Sequence, residues 1–128
     1  MSKILVVDDE KGFRTLLRRI LEEAGHQVIE ATNGDHALDV FRRETPEIVI
    51  SDIIMPDRDG IEAIAIIKSE CPATKVLAIS GGGRAHAMDL LAIAPRAGAD
   101  MTLEKPFRKT DLLSCISQLH ELRESEKL

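Results

Sequence analysis

Lys3-Ile4-Leu5-Val6-Val7-Asp8-Asp9 is the stretch on which the fold turns. An apolar run without alternation, closed by two acids, is expected of a strand covered on both faces, as in the middle of a parallel sheet. Just downstream, Phe13, Leu16, Leu17, Ile20, Leu21 and Ala24 recur at i, i+3, i+4, i+7, i+8 and i+11. That spacing predicts an amphipathic helix, and Gly25 stands where a C′ glycine ends one.

The same strand-then-helix cycle repeats outward from this start. Gln27–Ala31 reads as a strand, Thr32-Asn33-Gly34 as a turn, and Asp35–Arg43 as a helix facing inward through Ala37, Leu38 and Phe41. Thr45-Pro46 breaks the pattern before a third strand, Glu47–Ser51, which ends at Asp52. Asp57–Gly60 is loop, and Ile61–Glu70 is a helix stopped by Cys71-Pro72. Lys75–Ile79 is a fourth strand ending at Ser80, followed by three glycines. Ala85–Ile93 reads as a helix weakened by Pro95, whose ring cannot donate to Leu91. Gly98-Ala99-Asp100 leads to a short fifth strand, Met101–Leu103, and Phe107 opens a last helix through Leu112, Leu113, Ile116 and Leu119.

Five βα units in strict alternation predict an α/β fold, a doubly wound five-stranded parallel sheet joined by right-handed crossovers. One domain over residues 1–122 is expected, with 123–128 as a frayed tail. The 128 residues suffice for a core without disulfide or zinc staples. With three Phe and no Trp or Tyr, that core must be aliphatic, and the scarcity of aromatics counts against a base-stacking RNA surface. A net charge of −5 argues against direct nucleic-acid binding. Cys71 and Cys115 lack paired spacing, and no apolar run is long enough to span a bilayer or serve as a signal peptide, so the cytoplasm is expected.

In such a sheet, ligands bind beyond the C-terminal ends of the strands, near the topological switch point. The residues there are Asp8 and Asp9, Asp52, Ser80, and Lys105-Pro106. Two carboxylates about 5 Å apart at an effective dielectric of 20 repel by roughly 3 kcal/mol. Three therefore require a cation, or a proton on one of them with its pKa raised. Lys105 supplies one charge, and hard oxygen donors without thiol or imidazole select Mg2+ or a similar ion such as Mn2+ for the rest. Carboxylates, metal, hydroxyl and lysine together suit a phosphoryl group, with one carboxylate able to act as nucleophile.

Val7-Asp8-Asp9-Glu10, Ser51-Asp52-Ile53-Ile54-Met55-Pro56-Asp57 with Gly60, Ser80, and Glu104-Lys105-Pro106-Phe107 stand in that order. Together they resemble the receiver domain of two-component response regulators over essentially the whole chain. The resemblance implies a flavodoxin-like strand order 2-1-3-4-5. It also implies that Asp52 is the phosphoacceptor, receiving a phosphoryl group from phosphohistidine on a histidine kinase or histidine phosphotransfer protein. Asp9, Asp52 and the backbone carbonyl of Ile54 would bind the metal, with Asp8 acting largely through water. Ser80, the Gly81 amide and Lys105 would hold phosphoryl oxygens, and Lys105-Pro106 is the expected cis bond. The added charge at Asp52 would shift a two-state surface, made of the fifth strand and its flanking helices, toward a downstream protein target.

Two features depart from the family: the side chain at Thr102 and the loop Gly81-Gly82-Gly83-Arg84, whose backbone amides are expected beside the phosphoryl oxygens as an anion-binding nest. Thr102 replaces the usual switch aromatic three residues before the lysine, so transmission is expected to take another route around Thr102. Ile54 and Gly82 occupy positions that help set dephosphorylation rate and cannot orient a water, so slow hydrolysis is expected. The alternative is a magnesium-dependent phosphohydrolase with an aspartyl-phosphate intermediate. It would need a second acid where Ile54 stands, so stoichiometric self-phosphorylation is expected rather than turnover. A nucleotide- or flavin-binding module would need a glycine-rich first turn, which Asp8-Asp9 replaces. His26, His36, His86 and His120, like Arg18, Arg19, Arg42 and Arg43, are expected on solvated surface, and Cys115 in the core. A stand-alone regulator is expected, since the sequence stops after the last helix.

Overall fold

The computed structural model describes residues 2–52, 60–81 and 98–126, with the backbone alone at 80 and 81. In chain order these form β1 (Lys3–Val7), α1 (Lys11–Glu23), β2 (Gln27–Ala31), α2 (Gly34–Glu44) and β3 (Ile48–Asp52). There follow α3 (Gly60–Glu70), β4 (Lys75–Gly81), β5 (Met101–Lys105) and α4 (Lys109–Glu126). All strand pairs are parallel and the order is β2-β1-β3-β4-β5. The doubly wound sheet expected from the alternation is therefore present. The helix expected over 85–93, with Pro95, lies outside the described residues.

The apolar run of β1 is unbroken because both of its faces are covered. Ile4 and Val6 pack with Leu17 and Leu21 of α1 and Leu112, Ile116 and Leu119 of α4. Leu5 and Val7 pack on the other face with Leu38 and Phe41 of α2 and Ile64 and Ile67 of α3. Each fully buried aliphatic side chain contributes on the order of 1.5–3 kcal/mol through removal from water. Cys115 is buried, as expected of a core thiol.

Local chemistry sets the element ends. Gly25, at φ 93°, follows α1 in the left-handed conformation that glycine adopts at least cost. The Asn33 side chain accepts from the His36 amide at 2.9 Å and so caps α2. Strand β5 runs two residues further than its apolar stretch, so Lys105 is its last residue and pairs in register with Gly81.

Helix α4 runs through Glu126, with Arg123 paired to Glu47 at 3.5 Å and Glu126 to the buried Lys75 at 2.6 Å, and residues 127 and 128 of the expected tail lie outside the described residues. Two surface expectations are corrected. Arg18 is not simply solvated, since it pairs with Glu30 and donates to the Val28 carbonyl at 2.7 Å. His26 and His120 are half-buried around Ser2, whose amide donates to His26 Nδ1 at 3.1 Å and whose hydroxyl lies 3.3 Å from His120 Nδ1. Burial, then the N-terminal amine and His120, hold the His26 pKa below its ordinary value.

Candidate phosphoryl and metal site

The strand order reverses beside β1, which pairs with β2 on one side and β3 on the other. Val7 is level with Ser51, so Asp8, just beyond β1, comes beside Asp52 at the end of β3. This is the crevice where an open α/β sheet receives ligands. Asp8, Asp9 and Asp52 each offer an oxygen there, all within 4.8 Å of one another. Among the described residues it is the one such grouping of three or more potential metal ligands. Their all-oxygen chemistry fits a hard divalent cation.

Burial differs across the three acids. Asp8 is buried, Asp9 exposed, and the Asp52 side chain keeps 11% of its surface open. Asp8 is held at two points: its Oδ1 accepts from the Glu10 amide at 2.8 Å, and its carbonyl accepts from Arg14 Nη1 at 2.8 Å. Arg14 is braced in turn by Glu30 of β2 at 3.1 Å. Burial pushes the Asp8 carboxyl up to about 6, outweighing the Glu10 amide that favours its charged form; Asp52 pushes in the same direction and Lys105 against it. Burial is thus the main cause of the raised Asp8 value, and the repulsion expected from sequence adds to it.

Lys105 reaches the cluster from β5, two strands away from β3. Its Nζ lies 3.6 Å from an oxygen of Asp8 and 3.6 Å from one of Asp52. The same ammonium sits over the Phe13 ring, 3.8 Å from its centroid. Phe13 and Phe107 meet edge to face, with centroids 6.0 Å apart and planes at 71°. The Lys105–Pro106 bond is cis, as expected.

The sheet therefore brings together Asp8, Asp9, Asp52 and Lys105. It places the backbones of Ser80 and Gly81 level with Glu104 and Lys105 on the neighbouring strand, while the Ser80 hydroxyl lies outside the described residues. Ile54, Met55, Pro56, Asp57, Gly82, Gly83 and Arg84 lie outside them as well. Thr102 is exposed on edge strand β5, and strand alternation sets it on the face opposite Lys105. Sequence reading missed Phe13, Arg14 and Glu30 as neighbours of the site and quoted Glu10 only as part of the first motif. Phe13 carried a signal, lying four residues after Asp9 in the first turns of α1, but it was absorbed into the apolar stripe.

Comparison with known proteins points one way. The family model of the response regulator receiver domain matches residues 4–117. A chemotaxis protein CheY of Halobacterium salinarum is 38% identical, over 92% of this chain and 96% of its own. Sporulation initiation phosphotransferase F of Bacillus subtilis is 30% identical, over 95% of this chain and 96% of its own. A response regulator receiver domain protein from Clostridium thermocellum superposes with a TM-score of 0.89 at 28% identity, over 97% of this chain and 98% of its own. NtrX from Brucella abortus superposes at 0.91 with 32% identity, and there this chain spans 98% of its own length but 28% of the larger protein.

Proposed function

Because the chain belongs to the receiver-domain family of response regulators, we propose that Asp52 is its phosphoacceptor, charged by a phosphohistidine of a histidine kinase or histidine phosphotransfer protein. The observation that carries this reading is the Asp52 carboxylate at the switch point, 11% exposed, 3.6 Å from Lys105 and grouped with two further acids. A carboxylate oxygen of Asp52 attacks phosphorus, the P–N bond breaks, and its electron pair returns to the imidazole nitrogen. The receiver keeps one phosphoryl group as an acyl phosphate.

Asp8, Asp9, Asp52 and the Ile54 backbone carbonyl are the groups to hold Mg2+ or Mn2+, with Asp8 reached largely through water. When bound, that cation supplies the charge neutralisation that lets an anionic phosphoryl group approach the acids. Lys105 keeps a positive charge beside Asp52 and pairs with a phosphoryl oxygen after transfer. The Ser80 hydroxyl and the Gly81 amide bond other oxygens, and their movement passes the state of Asp52 to a surface that binds a downstream protein. With Thr102 in place of an aromatic, that movement is relayed through the strand and its neighbours. Ile54 and Gly82 offer no side chain to direct a water, so the acyl phosphate is lost slowly and the protein does not turn over as a phosphatase. No described helix is long and apolar enough to cross a membrane, and we place the reaction in the cytoplasm, beside the kinase domains.

Incubation with a labelled small acyl phosphate and magnesium tests the reading. Wild type should take up at most one phosphoryl group per chain, and Asp52→Asn none. Continuous release of phosphate from simple phosphomonoesters would support the phosphohydrolase instead.

A further inference from the structure

The Lys105 ammonium is held without being clamped. Its distances of 3.6 Å to Asp8 and to Asp52 exceed those of a charge-assisted hydrogen bond, about 2.7–2.9 Å. Lys75, at the opposite edge of the sheet, closes to 2.6 Å on Glu126. A lysine stem is flexible and carries rotatable donors, so an ammonium halfway between two carboxylates needs something else to fix it. The Phe13 ring face, 3.8 Å from Nζ to centroid, supplies that contact through its quadrupole. The ring is itself fixed, since Phe107 packs against it edge to face. A ring face also holds the cation without accepting a full hydrogen bond, which leaves N–H groups available for an incoming oxygen.

We propose that Phe13 is a positioning residue for Lys105, its ring holding the ammonium poised between Asp8 and Asp52 so that the phosphoryl group meets a preplaced charge. The proposal rests on Asp52 being the phosphoacceptor. It assigns to an apolar side chain, which the sequence places in the buried stripe of α1, a role beyond packing. Phe13→Leu keeps an apolar side chain and removes the π face, whereas Phe13→Tyr keeps both.

The test has two readouts on folded, magnesium-loaded protein. In wild type the ε-methylene protons of Lys105 should resonate upfield of ordinary lysines through the ring current, and Phe13→Leu should abolish that shift. With acetyl phosphate as donor, Phe13→Leu should label about fivefold more slowly and Phe13→Tyr should recover to within about twofold, as expected for loss and restoration of a partly exposed cation–π contact. Magnesium affinity by calorimetry should be the same in all three. An ordinary Lys105 resonance in wild type, or equal labelling rates on Asp52 in wild type and Phe13→Leu, overturns the proposal. A wild type that takes no label on Asp52 overturns the phosphoacceptor reading beneath it, a distinct result.

Discussion

The two edges of the sheet handle charge in opposite ways. At the C-terminal edge three acids gather beside one lysine, which lies 3.6 Å from Asp8 and 3.6 Å from Asp52, and burial has already pushed Asp8 toward keeping a proton. At the N-terminal edge, Lys68 and Lys75 face Asp100 and Glu126 in a matched set. Lys68 Nζ lies 3.1 Å from Asp100 and also donates to the carbonyls of Pro72 and Thr74, at 3.0 and 2.8 Å. Lys75 is almost wholly buried and closes on Glu126, while Asp100 accepts the Val76 amide at 2.8 Å. One edge is satisfied and ties α3, β4 and α4 together; the other groups three carboxylates, a donor set suited to a hard cation, beside a single lysine. The difference teaches that, of these two charged clusters, the matched one joins elements while the unmatched one stands where ligands enter an open sheet.

Breaking the satisfied edge should have the largest effect on stability. Asp100→Ala leaves two lysines short of a partner and the Val76 amide without its acceptor, and should cost about 2–4 kcal/mol in urea unfolding. A loss under about 1 kcal/mol would show that the matched edge is not what holds these elements together.

Asp8→Asn should act in the opposite direction. The folded Asp8 carboxyl titrates near 6 against 3.8 for an ordinary one, so between those values the folded protein keeps a proton that the unfolded chain has lost. Its contribution to stability is therefore present at low pH and declines as pH rises through that window. Without metal at pH 7.5, Asp8→Asn should stabilise by on the order of 2 kcal/mol, and flatten this part of the pH profile. A destabilised variant would argue that the acids at this edge are not in conflict.

Lys105→Ala should leave magnesium binding at least as strong, since it removes a competing positive charge, and should change stability by less than about 1 kcal/mol. Its effect belongs to function: the variant should respond poorly to phosphorylation, as read by partner binding or amide chemical shifts. An unaltered response would show that the lysine has been misassigned.

The smallest effect is expected at His26. Its folded pKa is lowered, so the unfolded chain takes up a proton that the folded one resists, and stability is lost as pH falls below about 6.5. His26→Gln should flatten that acid limb without altering magnesium binding. The two edges thus carry pH dependences of opposite sign, which a stability profile of both variants separates.

What could be read from sequence follows from how far each signal reaches along the chain. The unbroken run at Lys3–Val7 required cover on both faces, and a strand ending in Asp8, like one ending at Asp52, fixed its place once the sheet was parallel. The grouping of Asp8, Asp9, Asp52 and Lys105 was accessible because each stands at a strand end. Lys75, Asp100 and Glu126 were invisible for the converse reason. Charged residues at the start of a strand or in a last helical turn are common on any surface, and only tertiary contact pairs positions fifty-one residues apart. His26 and His120 were misread as solvated because their shared partner, Ser2, lies 118 residues from His120. Strand β5 was drawn too short because Glu104 and Lys105 are polar, although an edge strand tolerates them.

Thermal unfolding with and without magnesium tests most directly whether the negative charge gathered at the C-terminal edge, only partly offset by Lys105, is a site for a divalent cation. Magnesium should raise the melting temperature clearly at pH 8, less at pH 5 where Asp8 holds a proton that the cation must displace, and much less at pH 8 in Asp52→Asn. A wild-type melting temperature indifferent to magnesium at pH 8, or raised equally in Asp52→Asn, would contradict that assignment.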